Sequence, residues 1–292
     1  MATVTERFAQ KSASPLLCCD FSPPRSGNPR FTESTALMDV DFISVAYSPG
    51  QSVRMDTVAA SATLKWRLRK DVICNIATRD MNRLAVQMHL LGAQALDLEN
   101  ILVVKGDDFN VHDRDSIKTV ADFRPTELVT AIKQMNQGID FRGKKLAFPT
   151  AFCVGTIMDP TREVGREARL AAKKLAAGSD YFITQSIYDA APARALLQRF
   201  QEETGVPLTA PVFWGVNIMV RDGIVFGEVP PWVQRDLAQG RSGVDLALQT
   251  IRDLQAIGCR AFYLVPPIHK GGRRDYAAVQ QVCEALRAAA RR

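Results

Sequence analysis

The 292-residue sequence has no run of eighteen apolar residues and no CxxC pair, and it carries only three histidines, His89, His112 and His269. The first absence gives no support for a membrane-spanning helix, and Met1 to Ser14 also lack the basic-then-apolar order of a secretory signal, so a cytoplasmic protein is expected. The second argues against structural disulfides and a zinc site: the six cysteines fall mostly within apolar, strand-like runs, where a thiol behaves as a small hydrophobe. The third rules out a histidine-rich metal centre by count, and no metal is expected. Also missing are GxGxxG after the first strand, a Walker loop and a GxSxG elbow, so neither a Rossmann dinucleotide site nor a serine nucleophile is indicated. The net charge of +6 is spread along the chain without interleaved aromatics, which argues against nucleic acid and leaves attraction of a small anion as its milder use.

What is present is alternation. Asn100-Ile-Leu-Val-Val104 runs straight into Lys105-Gly106-Asp107, as a strand buried on both faces does when its C-terminal end opens onto a site. Around it, strand patterns at 15–21, 41–47, 71–77, 145–154, 180–184, 211–217 and 260–265 alternate with helical patterns at 31–39, 55–69, 80–91, 125–136, 162–177, 190–204, 244–257 and 276–290. Eight strand–helix units with no linker predict an α/β single-domain fold, the closed (β/α)8 TIM barrel, over residues 15–292, with 1–14 a loose N-terminal segment.

In such a barrel the strand C-termini share one face, which gathers Asp20, Tyr47, Asn75, Lys105, Asp107, Gln185 and Asn217. Two carboxylates (Asp20, Asp107), one amide (Gln185) and lysines (Lys105, Lys174), without a histidine, nucleophilic serine or metal set, point to proton transfer and charge stabilisation of a bound organic molecule. Glycoside hydrolysis also uses two carboxylates, but the aromatic platforms of sugar sites are scarce near these strand ends. Each residue also has an ordinary explanation as a turn, a cap or a solvated charge, and Arg273-Arg274 read most simply as solvated helix charges.

Three motifs carry a resemblance. Cys18-Cys-Asp20-Phe-Ser-Pro-Pro-Arg25, Val103-Val-Lys-Gly-Asp107, and the stretch from Ala172-Lys173-Lys174 through Gly178-Ser-Asp-Tyr-Phe-Ile-Thr-Gln185 stand in the order and at the strand ends seen in methylenetetrahydrofolate reductases, which the chain resembles over roughly residues 15–265. The resemblance implies reduction of 5,10-methylenetetrahydrofolate to 5-methyltetrahydrofolate, with FAD at the strand C-termini and NAD(P)H as hydride source. It implies Asp20 as the acid, Asp107 between flavin and pterin, Gln185 on the folate, and Lys105, Gly106, Asp107, Glu167 and Lys174 toward the flavin. Tyr47 and Asn217 are assigned to the substrate from their strand-end positions. For Asp20 to act as an acid, apolar surroundings from Leu16, Leu17 and Phe21 are expected.

Departures from the family pattern bear on the cofactor: Asp20 stands for the usual glutamate, Ala46 for a threonine, Asp71 for a histidine beside the flavin and Leu170 for an asparagine. Two expectations therefore stand side by side. One is a flavin-dependent reductase. The other is a flavin-free pterin- or folate-binding subunit, or a direct hydride-transfer enzyme, of a methyl-transfer system. A reduced folate is the expected partner, self-association is a family expectation, and membership of a one-carbon enzyme complex is a further one.

Overall fold

The computed structural model describes residues 2–11, 14–35, 38–113, 115–225 and 227–290. Eight parallel strands close into a barrel in sequence order: β1 (Leu16–Phe21), β2 (Phe42–Val45), β3 (Asp71–Ala77), β4 (Asn100–Val104), β5 (Cys153–Met158), β6 (Tyr181–Ser186), β7 (Val212–Asn217) and β8 (Ala261–Val265). The register pairs Cys18 with Phe42 on one side of β1 and Leu16 with Ala261 on the other, which completes the ring. Around it run α2 (Thr57–Leu68), α3 (Arg83–Ala95), α4 (Pro125–Asn136), α5 (Val164–Ala176), α6 (Ala191–Thr204), α8 (Gly243–Gln255) and α9 (Tyr276–Ala290), while a short α7 (Pro231–Ala238) sits in the connection before α8. Among the described residues no helix is long and apolar enough to cross a membrane. The (β/α)8 TIM barrel expected from the alternation is the fold observed.

Strand alternation sorts the core into two shells. Along β1, Leu17, Cys19 and Phe21 pack outward against the helices, whereas Leu16 and Cys18 join Phe42, Ile73, Leu102, Tyr181 and Phe213 inside the barrel. Tyr181 fills the centre: its ring occupies the volume a side chain at Gly155 would need, with a Cβ there only 2.2 Å from the ring, and its hydroxyl donates to the Ile101 carbonyl at 3.0 Å. The interior is therefore packed, and only the strand ends are open to chemistry.

Four local expectations are corrected. Of residues 1–14, expected to be loose, the described residues 2–11 are ordered: α1 (Val4–Gln10) begins with a Thr3/Glu6 capping box and lies across the N-terminal end of the barrel. There Val4 is fully buried, its N–H donates to Asn100 Oδ1 at 2.8 Å, and Arg7 pairs with Asp71 at 2.8 Å. Strand five begins at Cys153, not Lys145, because Pro149 interrupts ladder donors and residues 139–145 fold into a turn closed by an Ile139–Lys145 bridge. The segment from Phe31 is a 3-10 turn (Pro29–Thr35) with residues 36 and 37 outside the described ones. Asn82, rather than Thr78, caps α3, and the helix runs through Gly92 to Ala95.

Candidate functional site at the C-terminal mouth

The parity that buries Leu16 and Cys18 also turns Asp20 inward, one step higher, at the mouth. Asp20 is 7% exposed, and both its oxygens are engaged. The Tyr263 hydroxyl donates to Oδ1 at 2.7 Å, and Arg274 Nη1 lies 2.7 Å from Oδ2. Burial, reinforced by the Asp20 charge and hydrogen bond, pushes the Tyr263 phenol far above its ordinary range, so that proton stays on the tyrosine. Burial works against the Arg274 cation, but Asp20 together with Tyr276, Tyr263 and Cys19 outweighs it, and the guanidinium is held above its ordinary value. These polar neighbours replace the apolar surroundings expected for Asp20, and Arg274 is a buried ion-pair partner rather than a solvated helix charge.

Beside Asp20 in the β1–β2 register stands Ser44, whose hydroxyl donates to Asn75 Oδ1 at 3.1 Å. Across the barrel, Asn217 donates to the Tyr188 hydroxyl at 3.1 Å, and burial raises the Tyr188 phenol. Gln185 is exposed, at the end of β6 where its register with β7 shifts between Ile183 and Ser186. Gly215 makes that shift possible, because a Cβ there would sit 2.7 Å from the Thr184 carbonyl oxygen. Asp20, Asn75, Asn217 and Gln185 thus share the inward parity of their strands at one end of the barrel.

The opening of β4 is built differently. Gly106 takes φ +82°, and a Cβ on it would meet Arg79 Cβ at 3.1 Å. Arg79, buried, donates to the Asp107 carbonyl at 2.6 Å, pairs with Asp80 at 2.5 Å and lies over the Phe109 ring. Tyr47 belongs to the same network: burial first, then the charge of Asp80 and a hydrogen bond with it, raises its phenol. The side chains of Lys105 and Asp107 project to solvent, with Lys105 2.8 Å from Asp108. Above them Gln51 ties the β2 and β4 loops together through the Asp108 carbonyl and the Asn110 N–H.

Glu167 and Lys174 lie elsewhere. Both are buried on α5: Glu167 accepts the Asp159 N–H at 3.0 Å, Lys174 donates to the Ile157 carbonyl, and the two charges stand 3.9 Å apart. Burial lowers the Lys174 pKa, the cost of holding an ammonium out of water. Asp71, read as a replacement for a histidine beside the cofactor, opens β3 at the opposite end of the barrel, where it binds α1. It therefore has no bearing on a cofactor at the mouth. Ala46 follows β2 at the mouth, and Leu170 lies on α5.

Sequence reasoning missed Tyr263, Arg274, Arg79 and Ser44. The period-two parity of β8, which turns Ala261 inward, carried a signal for Tyr263; nothing local marked Arg274, which reaches Asp20 across 254 sequence positions from the loop after β8.

Solved structures share this architecture. One, described as an uncharacterized protein from Clostridium thermocellum that binds two copies of 5-methyl-5,6,7,8-tetrahydrofolic acid, matches with a TM-score of 0.69 and 12% identity over 98% of this chain and 99% of that one. A 2,3-dimethylmalate lyase of the PEP mutase/isocitrate lyase superfamily matches with a TM-score of 0.52 and 13% identity, over 98% of this chain and 83% of that one. At such identities the likeness is one of fold. The family assignment comes from sequence: the methylenetetrahydrofolate reductase family model matches residues 5–264, nearly all of the chain and all eight strands but the last residue of β8. The chain belongs to the methylenetetrahydrofolate reductase family, and with it to folate-related one-carbon chemistry.

Proposed function

We propose that the chain binds a reduced folate across the barrel mouth and reduces its methylene group to methyl, with NAD(P)H as hydride source. The observation that carries this reading is a buried carboxylate, Asp20, on the same rim as the amides of Gln185 and Asn217, in a chain of this family. A pterin ring offers N–H donors and a carbonyl acceptor. A carboxylate accepts from the first, and an amide serves both, so the set matches the ring's edge. The folate-binding description of the similar Clostridium thermocellum structure supports the same ligand class. Asp107, exposed beyond β4, is the second carboxylate proposed at the reacting end, and Tyr47 is proposed to line the rim.

The residues expected to hold FAD divide. Lys105, Gly106 and Asp107 fit: an exposed ammonium and carboxylate on a glycine turn at a strand end can take the polar edge of a flavin. Glu167 and Lys174 do not fit, since their charged groups are committed to each other and to backbone groups below the surface. When bound, a flavin would relay hydride between nicotinamide and folate. The protein's own part is to orient the folate ring, exclude water and supply charge. The commitment of Glu167 and Lys174 favours a second reading in which folate binds without a flavin and hydride passes directly.

The visible spectrum of freshly purified protein, with the released cofactor identified, separates the two. Stoichiometric FAD supports the flavoenzyme; colourless protein that takes up no added FAD yet binds 5-methyltetrahydrofolate supports the flavin-free reading; failure to bind any reduced folate refutes both. Asp20→Asn is expected to abolish folate turnover while folded structure persists. Self-association and membership of a larger one-carbon assembly are proposals that light scattering on the purified chain would test.

A further inference from the structure

Arg274 enters the mouth from outside the family-matched span, which ends at Leu264. The loop after β8 folds back on itself: Gly271 and Gly272, both at positive φ, make the tip, the His269 N–H donates to the Arg273 carbonyl, and Ile268 bridges Arg274 in antiparallel pairing. This small hairpin is anchored on two sides. The Ile224 N–H donates to the Ile268 carbonyl, and Tyr276, just beyond Arg274, stacks on Phe21 at 5.9 Å. Its product is one placed guanidinium. Arg274 Nε donates to Ser22 Oγ at 2.7 Å while Nη1 faces Asp20 Oδ2, and the side chain is 11% exposed.

We propose that Arg274 is a positioning residue of the folate site, resting on the function proposed above. It holds the Asp20 side chain in place through their ion pair, so that Asp20 meets the ligand in one fixed orientation. Three features of the geometry converge on this. A guanidinium nitrogen stands 2.7 Å from one oxygen and holds it by a charge-assisted contact. The Tyr263 hydroxyl points its proton at the other oxygen, which requires a lone pair there. And the cluster is largely withdrawn from water, where an unpaired carboxylate would be costly, so the cation is needed to keep the charge in place. The cation that holds Asp20 is thus supplied from beyond the residues that the family model matches.

The test is a double-mutant cycle with Arg274→Met and Asp20→Asn, read twice on the full chain. Arg274→Lys, which keeps the charge, is the conservative control. Without ligand, the urea midpoint reports the pair itself. With 5-methyltetrahydrofolate as probe, titration reports binding. The expected result is that Arg274→Met weakens folate binding at least tenfold, that Arg274→Lys restores most of it, and that Arg274→Met has no further effect once Asp20 is Asn. Equal losses from Arg274→Met in both backgrounds would overturn the inference, showing that Arg274 acts on the ligand or the loop independently of Asp20. So would coupling in stability without coupling in binding. A wild-type chain that binds no reduced folate, while its ligand-free stability still shows the coupling, would instead remove the proposed function, and the inference with it.

Discussion

Deleting residues 1–10 removes a helix that touches nothing at the mouth and seals the opposite end. The loss can be assembled from its contacts. Val4 is fully buried, a side-chain burial that contributes about 1.5–3 kcal/mol. The Val4 N–H to Asn100 and Ala2 N–H to Asp71 hydrogen bonds add about 1 kcal/mol each. Arg7 on Asp71 adds little more, because Arg7 is 43% exposed and its charge is screened. Phe8, packed against the barrel interior with Arg260 over its ring at 4.3 Å, brings the total to about 4–7 kcal/mol. With a urea dependence of about 3 kcal/mol/M for a chain of this size, the midpoint should fall by about 1–2 M. Equilibrium urea unfolding followed by circular dichroism measures it. Affinity for 5-methyltetrahydrofolate under native conditions should stay within about twofold, since the site lies at the other end of the strands. An unchanged midpoint would refute the account of α1 as the barrel's plug, and a lost affinity at unchanged midpoint would refute the separation of the two ends.

Gly155→Ala places a methyl group within the Tyr181 ring, an overpacking of about 1–3 kcal/mol that should lower Tm on the order of 5 °C, and Tyr181→Leu in the same chain should return part of it. A Tm unchanged by Gly155→Ala would mean the ring is not held where it stands. Alkaline pH supplies a second check on the same interior. Burial raises the phenols of Tyr181 and Tyr263, whereas unfolded tyrosines ionise near pH 10, so above about pH 10 the unfolded chain gives up protons that the folded chain keeps and stability falls as pH rises. Lys174 opposes this, because its lowered pKa lets stability rise with pH until unfolded lysines also deprotonate. Urea midpoints between pH 8 and 11 should therefore fall less steeply in Tyr181→Phe than in the parent, and equal slopes would contradict the assignment.

The residues that seemed least eventful in sequence changed meaning most. Arg273-Arg274 look alike in the chain, yet one guanidinium faces a buried carboxylate. Glu167 and Lys174 match a cofactor motif, yet each finds its partner within its own βα unit. Asp71 stands in the resemblance for a histidine beside the flavin, yet it is the first residue of the strand read at 71–77, and chain direction alone puts it at the end of the barrel away from the mouth.

Periodicity and punctuation were enough for the sequence to determine the eight-fold alternation, the closed barrel and the strand C-terminal ends that put Asp20, Gln185 and Asn217 on one face, because these follow from local pattern repeated along the chain. The same local logic made Asn100–Asp107 recognisable as a strand opening onto a loop. Tertiary structure alone decided which charges meet. The plug made by α1, the Tyr263–Asp20–Arg274 cluster, the Arg79 network under the β4 loop and the buried Glu167–Lys174 pair depend on distance and water exclusion between groups brought together by closure of the ring. An ion pair is worth little in solvent and much when withdrawn from it, and burial is a property of the whole fold.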